Sequence, residues 1–110
     1  MFQTKFYKSS NGKEPVRNWI CQQDKADKKT LGEDIKTLQE GWPMGMPFVR
    51  KMEKGLWELR SNISGKRIAR IFFTVTEGNL VLLHAIIKKK QKTPLNDLAI
   101  ARKRKEKSSA

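Results

Sequence analysis

The sequence GLWELR, residues 55–60, is followed by RIARIFF, residues 67–73, and by LLHAIIKKKQKTP, residues 82–94. Each run is rich in residues that favour β-strands, and a glycine lies at each boundary, as tight antiparallel turns require. Each run also carries Arg, Lys or His at an edge or an end, and a basic helix follows the last one. The segment therefore predicts a small cationic sheet suited to holding a polyanion.

The remaining elements can be predicted on both sides of this segment. Strands are expected at residues 2–7, 49–52, 56–61, 66–75 and 79–88. Helices are expected from Pro15 through Gln23, from Asp24 or Asp27 to Gly41, and from Pro94 onward with Thr93 as N-cap. This order predicts a single α+β domain over residues 1–110, with residues 107–110 as a frayed tail. In it, two N-terminal helices and a C-terminal helix pack on a curved antiparallel sheet whose other face is free to bind.

The charge balance restricts the partners that this domain can have. The chain of 110 residues has 24 Lys and Arg against 11 Asp and Glu, which gives a formal net charge of +13. Such an excess destabilises the compact state by self-repulsion and attracts phosphate backbones or acidic surfaces. A polyanionic or acidic partner is expected.

Single cysteine and histidine residues exclude several kinds of site. Cys21 has no cysteine partner for an intrachain disulfide, and His84 has no neighbours at zinc-ligand spacing. The amino terminus lacks the apolar core of a signal peptide, and no run is long enough to span a bilayer. We expect a cytoplasmic protein with no membrane partner, metal or cofactor.

Three features follow one another along the chain: a WELR strand, an arginine in the next strand, and a block of LLH, KK and TP before a basic helix. This ordered series resembles one family. It is similar to the HigB-type, phage-derived branch of the RelE/ParE toxin superfamily. The resemblance implies a RelE-like microbial RNase fold and a toxin of a type II toxin–antitoxin system. It also implies a ribosome-dependent mRNA endonuclease that inhibits translation. The implied partners are a HigA-type antitoxin with a helix-turn-helix domain, the 30S decoding site of the ribosome, and mRNA.

Metal-independent cleavage of RNA is the chemistry that the residue types permit. In this reaction the ribose 2′-OH attacks the adjacent phosphorus, which needs a base, donors for the phosphorane charge, and an acid for the leaving oxygen. The resemblance implies that Arg70 contacts the scissile phosphate, whereas pattern alone favours a solvated cation. Arg60 is a second candidate catalytic arginine, and it shares one face of its strand with Glu58. Glu58 would accept the 2′-OH proton or, as the more frequent role, form an ion pair with Arg60 or Arg70.

Other candidate residues lie in the basic carboxyl-terminal third of the chain. Lys89 lies where the superfamily's nucleases carry catalytic basic residues, and His84 would be a general acid or, more often for a lone histidine in an apolar strand, a structural residue. The expected RNA-binding residues include Trp42, which we expect to be exposed in its proline-bounded loop while Trp19 and Trp57 join the core. The others are cations, namely Arg67, Lys88, Lys90, Lys92, Arg102, Lys103 and Arg104.

Two other functions remain open from the sequence. A ParE-like poison of DNA gyrase would share the fold without the nuclease site. A non-catalytic protein that binds RNA or the ribosome would need only the charge. Both alternatives stand because the chain lacks the carboxyl-terminal Tyr or His that several RelE-type nucleases carry.

Overall fold

The computed structural model describes residues 2–88 and 94–109, which form five strands and three helices. The strands are β1 (Gln3–Phe6), β2 (Val49–Glu53), β3 (Leu56–Ile63), β4 (Arg67–Thr76) and β5 (Asn79–Lys88). The helices are α1 (Pro15–Cys21), α2 (Lys25–Gly41) and α3 (Leu95–Ser109). The predicted α+β class is confirmed, and the architecture is compatible with a RelE-like fold.

The five strands form one mixed sheet in the order β1-β5-β4-β3-β2. Strands β2 to β5 are antiparallel neighbours, as predicted, but β1 pairs in parallel with β5. The expectation of a wholly antiparallel sheet is therefore wrong for β1. Its alternating residues predict a strand but contain no information about which neighbour it joins or in which direction.

Local turn chemistry determines the antiparallel part of the sheet. Glu77 and Gly78 form the two-residue connection between β4 and β5, and both have positive φ angles of 49° and 78°. A two-residue hairpin of this type needs left-handed backbone at both positions, which glycine adopts without strain. The register of the long β4–β5 hairpin follows from this turn.

One face of the sheet carries the larger hydrophobic core. Leu31 and Leu38 of α2 are buried against Leu59, Ile71 and Leu82 of the three central strands. These residues alternate with those of the opposite face, as expected when both faces of a strand have different environments. Helices α1 and α2 therefore cover this side, as the predicted helical hairpin requires.

Helix α3 packs on the other face of the sheet. Ala101 is buried there with Leu56, Phe72 and Leu83, one from each of the central strands. The expectation of a free face is wrong, because the apolar residues of β3, β4 and β5 on this side need a cover. The helix also continues to Ser109, past the predicted start of a frayed tail.

A β-bulge in β5 changes the direction of one functional candidate. Phe72 pairs with His84, whereas the next residue, Phe73, pairs with Leu82, so Leu83 is the extra residue. Leu83 packs in the core under α3, and the His84 ring stacks on Phe72 with centroids 6.0 Å apart. The bulge thus places two consecutive side chains on the α3 face, which strict alternation would place on opposite faces.

None of the helices in the described part of the chain combines the length and the apolar character that crossing a membrane requires.

Candidate functional site

Four neighbouring charged side chains from β2, β3 and β4 lie on the α3 face of the sheet, beyond Glu53, which is paired with Arg102 of α3. Arg60 of β3 pairs directly with Arg70 of β4, and Arg50 of β2 pairs directly with Glu58 of β3. Directly paired residues point to the same side, and residues two apart in one strand do so as well. We call Arg50, Glu58, Arg60 and Arg70 the arginine cluster.

Glu58 and Arg70 form a buried ion pair within this cluster. The Nη1 atom of Arg70 donates to Oε1 of Glu58 at 2.6 Å, and the side chains are 2% and 0% exposed. The desolvation of both charges is costly, so their attraction and hydrogen bonding must offset it. In this conformation the Arg70 guanidinium is held away from solvent, and the ion pair expected for Glu58 is formed with Arg70.

Arg60 is the more accessible member of the directly opposed arginine pair. It is half-buried, and its Nε finds no hydrogen-bond partner among the described residues; the same holds for Nε of Arg70. Like charges directly opposite each other destabilise a sheet, and a buried donor without a partner costs about 1 to 3 kcal/mol. An anion with several oxygens, such as a phosphate, bound at the accessible part of Arg60 would reduce the repulsion between the two guanidinium groups.

Arg50 is a member of the cluster that the sequence analysis missed. It is exposed and lies directly across from Glu58 on the edge strand β2. The signal was available, because Val49 and Arg50 begin a strand that forms a hairpin with the WELR segment. What the sequence lacked was the register that places Arg50, rather than Lys51, on the face of Glu58.

His84 lies in a network with α3 rather than in the arginine cluster. Its Nε2 is 2.8 Å from Oδ1 of Asp97, and its Nδ1 is 3.4 Å from Nη1 of Arg104. Because arginine only donates, Nδ1 accepts and Nε2 carries the proton that it donates to Asp97. Both ring nitrogens are engaged, which favours the structural role over that of a general acid. Asp97, the residue that orients the ring, was not among the sequence candidates.

Arg67 joins α2 to the turn between β3 and β4. Its Nη2 is 2.8 Å from Oδ2 of Asp27, whose carboxylate also accepts from the backbone N–H and the hydroxyl of Ser64. The Ser64 backbone hydrogen bond is the largest cause that holds the pKa of Asp27 below its ordinary value; burial acts against it, and the Ser64 hydroxyl and Arg67 add to the lowering. The RNA-binding candidate Arg67 therefore has a structural partner, although a third of its side chain is exposed.

The cations of α3 differ in their partners. Arg102 is paired with Glu53 of β2 at 2.7 Å, a contact that lowers the pKa of Glu53 and raises that of Arg102. Arg104 donates to the carbonyl of Leu83 at 2.8 Å. Lys103 is exposed. Of these three RNA-binding candidates, Arg102 and Lys103 are exposed, and the charge of Arg102 is offset by Glu53.

Trp42 is not the exposed stacking platform that its loop predicts. Its ring is half-buried and makes edge contacts with Trp57, at 4.9 Å between centroids, and with Phe73, at 5.3 Å. The loop after α2 folds back over the end of the core. Burial of the large Trp42 ring there removes apolar surface from water, which stabilises this position of the loop. Trp19 and Trp57 pack against the same core, as predicted.

The predictions for the basic run after β5 remain untested. Lys89, Lys90 and Lys92 lie outside the described residues, as does the predicted N-cap Thr93, and Lys88 is described only as the last backbone residue of β5. Within the described residues, no group of three or more His, Cys, Asp or Glu side chains is placed to hold a metal ion.

Comparison with known proteins identifies one family. The model of the family described as "Phage derived protein Gp49-like (DUF891)" matches residues 18–106, which is well over half of the chain. This range contains the arginine cluster and most of α3. No curated protein matches the sequence.

Proposed function

Because the chain belongs to the Gp49-like family of phage-derived proteins, within the RelE/HigB-like toxins of toxin–antitoxin systems, we propose that it is a ribosome-dependent mRNA endonuclease that inhibits translation. The observation that supports this proposal best is the direct opposition of Arg60 and Arg70 beside Glu58. A sheet built for stability alone would not place two permanent cations in register with unpartnered Nε atoms. Phosphate binding would account for the presence of two opposed cations at this position.

Arg60 and Arg50 are the residues that we assign to the substrate phosphate. Both are accessible and lie on the same face of adjacent strands, so they can contact oxygens of one phosphodiester. The ribose 2′-oxygen would attack the phosphorus, the P–O5′ bond would break, and the products would be a 2′,3′-cyclic phosphate and a 5′-hydroxyl. Guanidinium groups stabilise the extra negative charge of the phosphorane, which is the largest contribution expected of such a site.

Arg70 and Glu58 have supporting roles in this proposal. The buried pair holds β3 and β4 in register next to Arg60, and it does not contact the phosphate. A base and an acid are still needed, and Lys89 remains our candidate for one of them. Glu58 would become a base only if substrate binding separated it from Arg70.

The exposure of Arg50 and the partial exposure of Arg60, together with the charge of the chain, support ribosome dependence. A cluster on a sheet face does not enclose a nucleotide, so another surface must hold the mRNA in position for in-line attack. The ribosomal decoding site presents mRNA in a fixed conformation, and the net charge of +13 favours association with ribosomal RNA. The proposed partners are the 30S decoding site, mRNA and a HigA-type antitoxin, and the proposed location is the cytoplasm.

The burial of Arg70 is the observation that favours a second candidate. A ParE-like gyrase poison needs no phosphate-contacting residue on the sheet, and the closed Glu58–Arg70 pair is compatible with such a protein. The two functions make different products in the cell, so one experiment separates them.

The test is to induce the toxin and to map mRNA ends by primer extension, beside the variant Arg50→Ala/Arg60→Ala. We expect new 5′ ends within translated regions, which disappear when translation initiation is blocked and in the variant. Double-strand DNA breaks with unchanged mRNA ends would refute the proposal in favour of gyrase poisoning. Arrested translation with neither product would instead identify a non-catalytic ribosome binder.

A further inference from the structure

A groove runs between one flank of α3 and the segment that joins β1 to α1. It consists of three adjoining cavities of about 420, 370 and 310 Å³. Tyr7 and Lys107 line the first and third cavities, and Arg104 lines the second and third. We call this surface the Arg104 groove.

The Arg104 groove is strongly cationic. No carboxylate lines any of its three cavities, as far as the described residues extend. Since the chain also has 11 acidic residues, this separation of charge produces a positive potential that favours an anionic partner. The cations that line the groove are Lys5, Lys8, Lys13, Lys103, Arg104 and Lys107.

Arg104 is fixed at the centre of the groove without a carboxylate partner among the described residues. Its Nη1 donates to the carbonyl oxygen of Leu83 at 2.8 Å, and its guanidinium lies over the Tyr7 ring at 5.5 Å from the centroid. Burial lowers the pKa of Arg104 below its usual value, and Tyr7 acts in the opposite direction. By contrast, Arg102 on the same helix is neutralised by Glu53. A partly desolvated cation held in place in this way is suited to a charge-assisted hydrogen bond with an incoming anion.

The floor of the groove is apolar. Val81 lines the largest of the three cavities beside Tyr7, and Ile100 lines the smallest. A nucleic-acid backbone presents phosphates and sugars and gains little from such a floor. An acidic peptide that also carries apolar side chains uses both features, because interfaces combine an apolar centre with a charged rim.

The groove is separated from the arginine cluster by the width of the sheet. It lies at β1, whereas Arg50 and Arg60 lie on β2 and β3 at the opposite side of the strand order. The flank of α3 nearer the cluster is already attached to the β2–β3 hairpin, where Nζ of Lys105 donates to the carbonyl of Lys54 at 2.8 Å. A partner seated in the groove would therefore leave the cluster uncovered.

We propose that the Arg104 groove is the docking surface for an acidic, amphipathic segment of the antitoxin. Carboxylates of that segment pair with Arg104 and the surrounding lysines, and its apolar side chains pack on the floor at Tyr7, Val81 and Ile100. Binding at this surface neutralises the toxin by adding bulk that excludes it from its target. The inference rests on the antitoxin partner that the family implies and not on the nuclease reaction.

The test compares two double variants with the same change in charge. Lys8→Glu/Lys107→Glu reverses two exposed cations of the groove, and Lys28→Glu/Lys29→Glu reverses two exposed cations of α2 on the other side of the sheet. The probe is the antitoxin purified from its complex with this chain, with poly-U RNA as a second probe. We expect the groove variant to bind the antitoxin at least about tenfold more weakly at low salt, mainly through slower association, and with a flatter salt dependence. The α2 variant should remain within about twofold of the parent.

Three results would overturn the proposal. One is antitoxin affinity of the groove variant within about twofold of the parent, and another is an equal loss in both variants, which would indicate net charge alone. The third is a selective loss of poly-U binding with antitoxin affinity retained, which would make the groove a surface for RNA. Lys8→Gln/Lys107→Gln, whose circular dichroism is compared with that of the parent, repeats the measurement without charge reversal. Failure of the nuclease proposal would change none of these affinities.

Discussion

Arg60 and Arg70 lie directly opposite each other on adjacent antiparallel strands, and the Nη1 atom of Arg70 donates a hydrogen bond to Oε1 of Glu58 at 2.6 Å. The two residues therefore differ in what their replacement should do. Arg60 is half-buried and part of its side chain is accessible, whereas Arg70 is buried in its ion pair with Glu58. Removal of Arg60 should affect chemistry, and removal of Arg70 should affect folding first.

Arg60→Ala should lower the rate of mRNA cleavage about 100- to 1,000-fold, because one donor to the transition-state charge is lost. Its thermal stability should be unchanged or slightly higher, since a like-charge contact with Arg70 disappears. The measurement is single-turnover cleavage on programmed ribosomes, with circular dichroism as the check of folding. Lys51→Ala, a cation of β2 paired with Trp57 on the opposite face, is the matched control and should cleave normally. Normal cleavage by Arg60→Ala would remove this residue from the site.

Glu58→Ala should destabilise the protein by about 3 to 5 kcal/mol, because it leaves the Arg70 charge buried without its carboxylate. The double variant Glu58→Ala/Arg70→Met should recover part of that loss, since the uncompensated buried charge is removed and an unbranched apolar side chain keeps some of the packing. Urea denaturation of both variants measures the difference. If the single and double variants unfold at the same urea concentration, the pair does not hold the sheet as its burial indicates. Arg70→Ala alone should also lose stability, so its toxicity needs to be compared at equal amounts of folded protein.

Local signals explain why much of the fold could be predicted. The bounds of β5 were predicted as Asn79–Lys88, and the end of α2 at Gly41, because glycine-containing turns and a helix stop are encoded within a few residues. The sharing of one face by Glu58 and Arg60 follows from strand alternation in the same way.

The remaining features depend on contacts between distant segments. The parallel pairing of β1 and the position of α3 on the opposite face depend on which surfaces the other elements leave uncovered. A local sequence pattern does not contain that information. The bulge at Leu83 breaks the alternation that would otherwise predict the direction of His84. Trp42 was misjudged because a proline-rich loop predicts the absence of a helix or strand and not the burial of its side chains.

The ionised side chain of Asp27 should stabilise the fold, and this stabilisation should be lost in acid. Its pKa is depressed in the folded state, mainly by the backbone N–H of Ser64, so its stabilising contribution is present above the ordinary value of 3.8. That contribution is lost as the pH falls through the lower, folded-state value. Asp27→Asn should therefore be less stable than the parent at neutral pH and should lose less on acidification below about pH 4. Ser64→Ala, which retains the backbone donor, should keep most of the parental acid dependence. Identical acid unfolding of the parent and Asp27→Asn would contradict this account.

His84→Ala should reduce stability more than cleavage. The histidine accepts from Arg104 and donates to Asp97, so its loss leaves two partly buried groups without their partner, at a cost of about 1 to 3 kcal/mol. A general acid needs a nitrogen free to face the leaving oxygen, and neither nitrogen of this ring is free in the network. Cleavage per folded molecule and the shape of the pH–rate profile should therefore match those of the parent, while the melting temperature falls. Asp97→Asn, which preserves the shape of the acceptor, should lose less stability and provides the comparison. A folded His84→Ala protein with cleavage reduced 100-fold or more, the loss expected of a missing general acid, would return His84 to the catalytic residues.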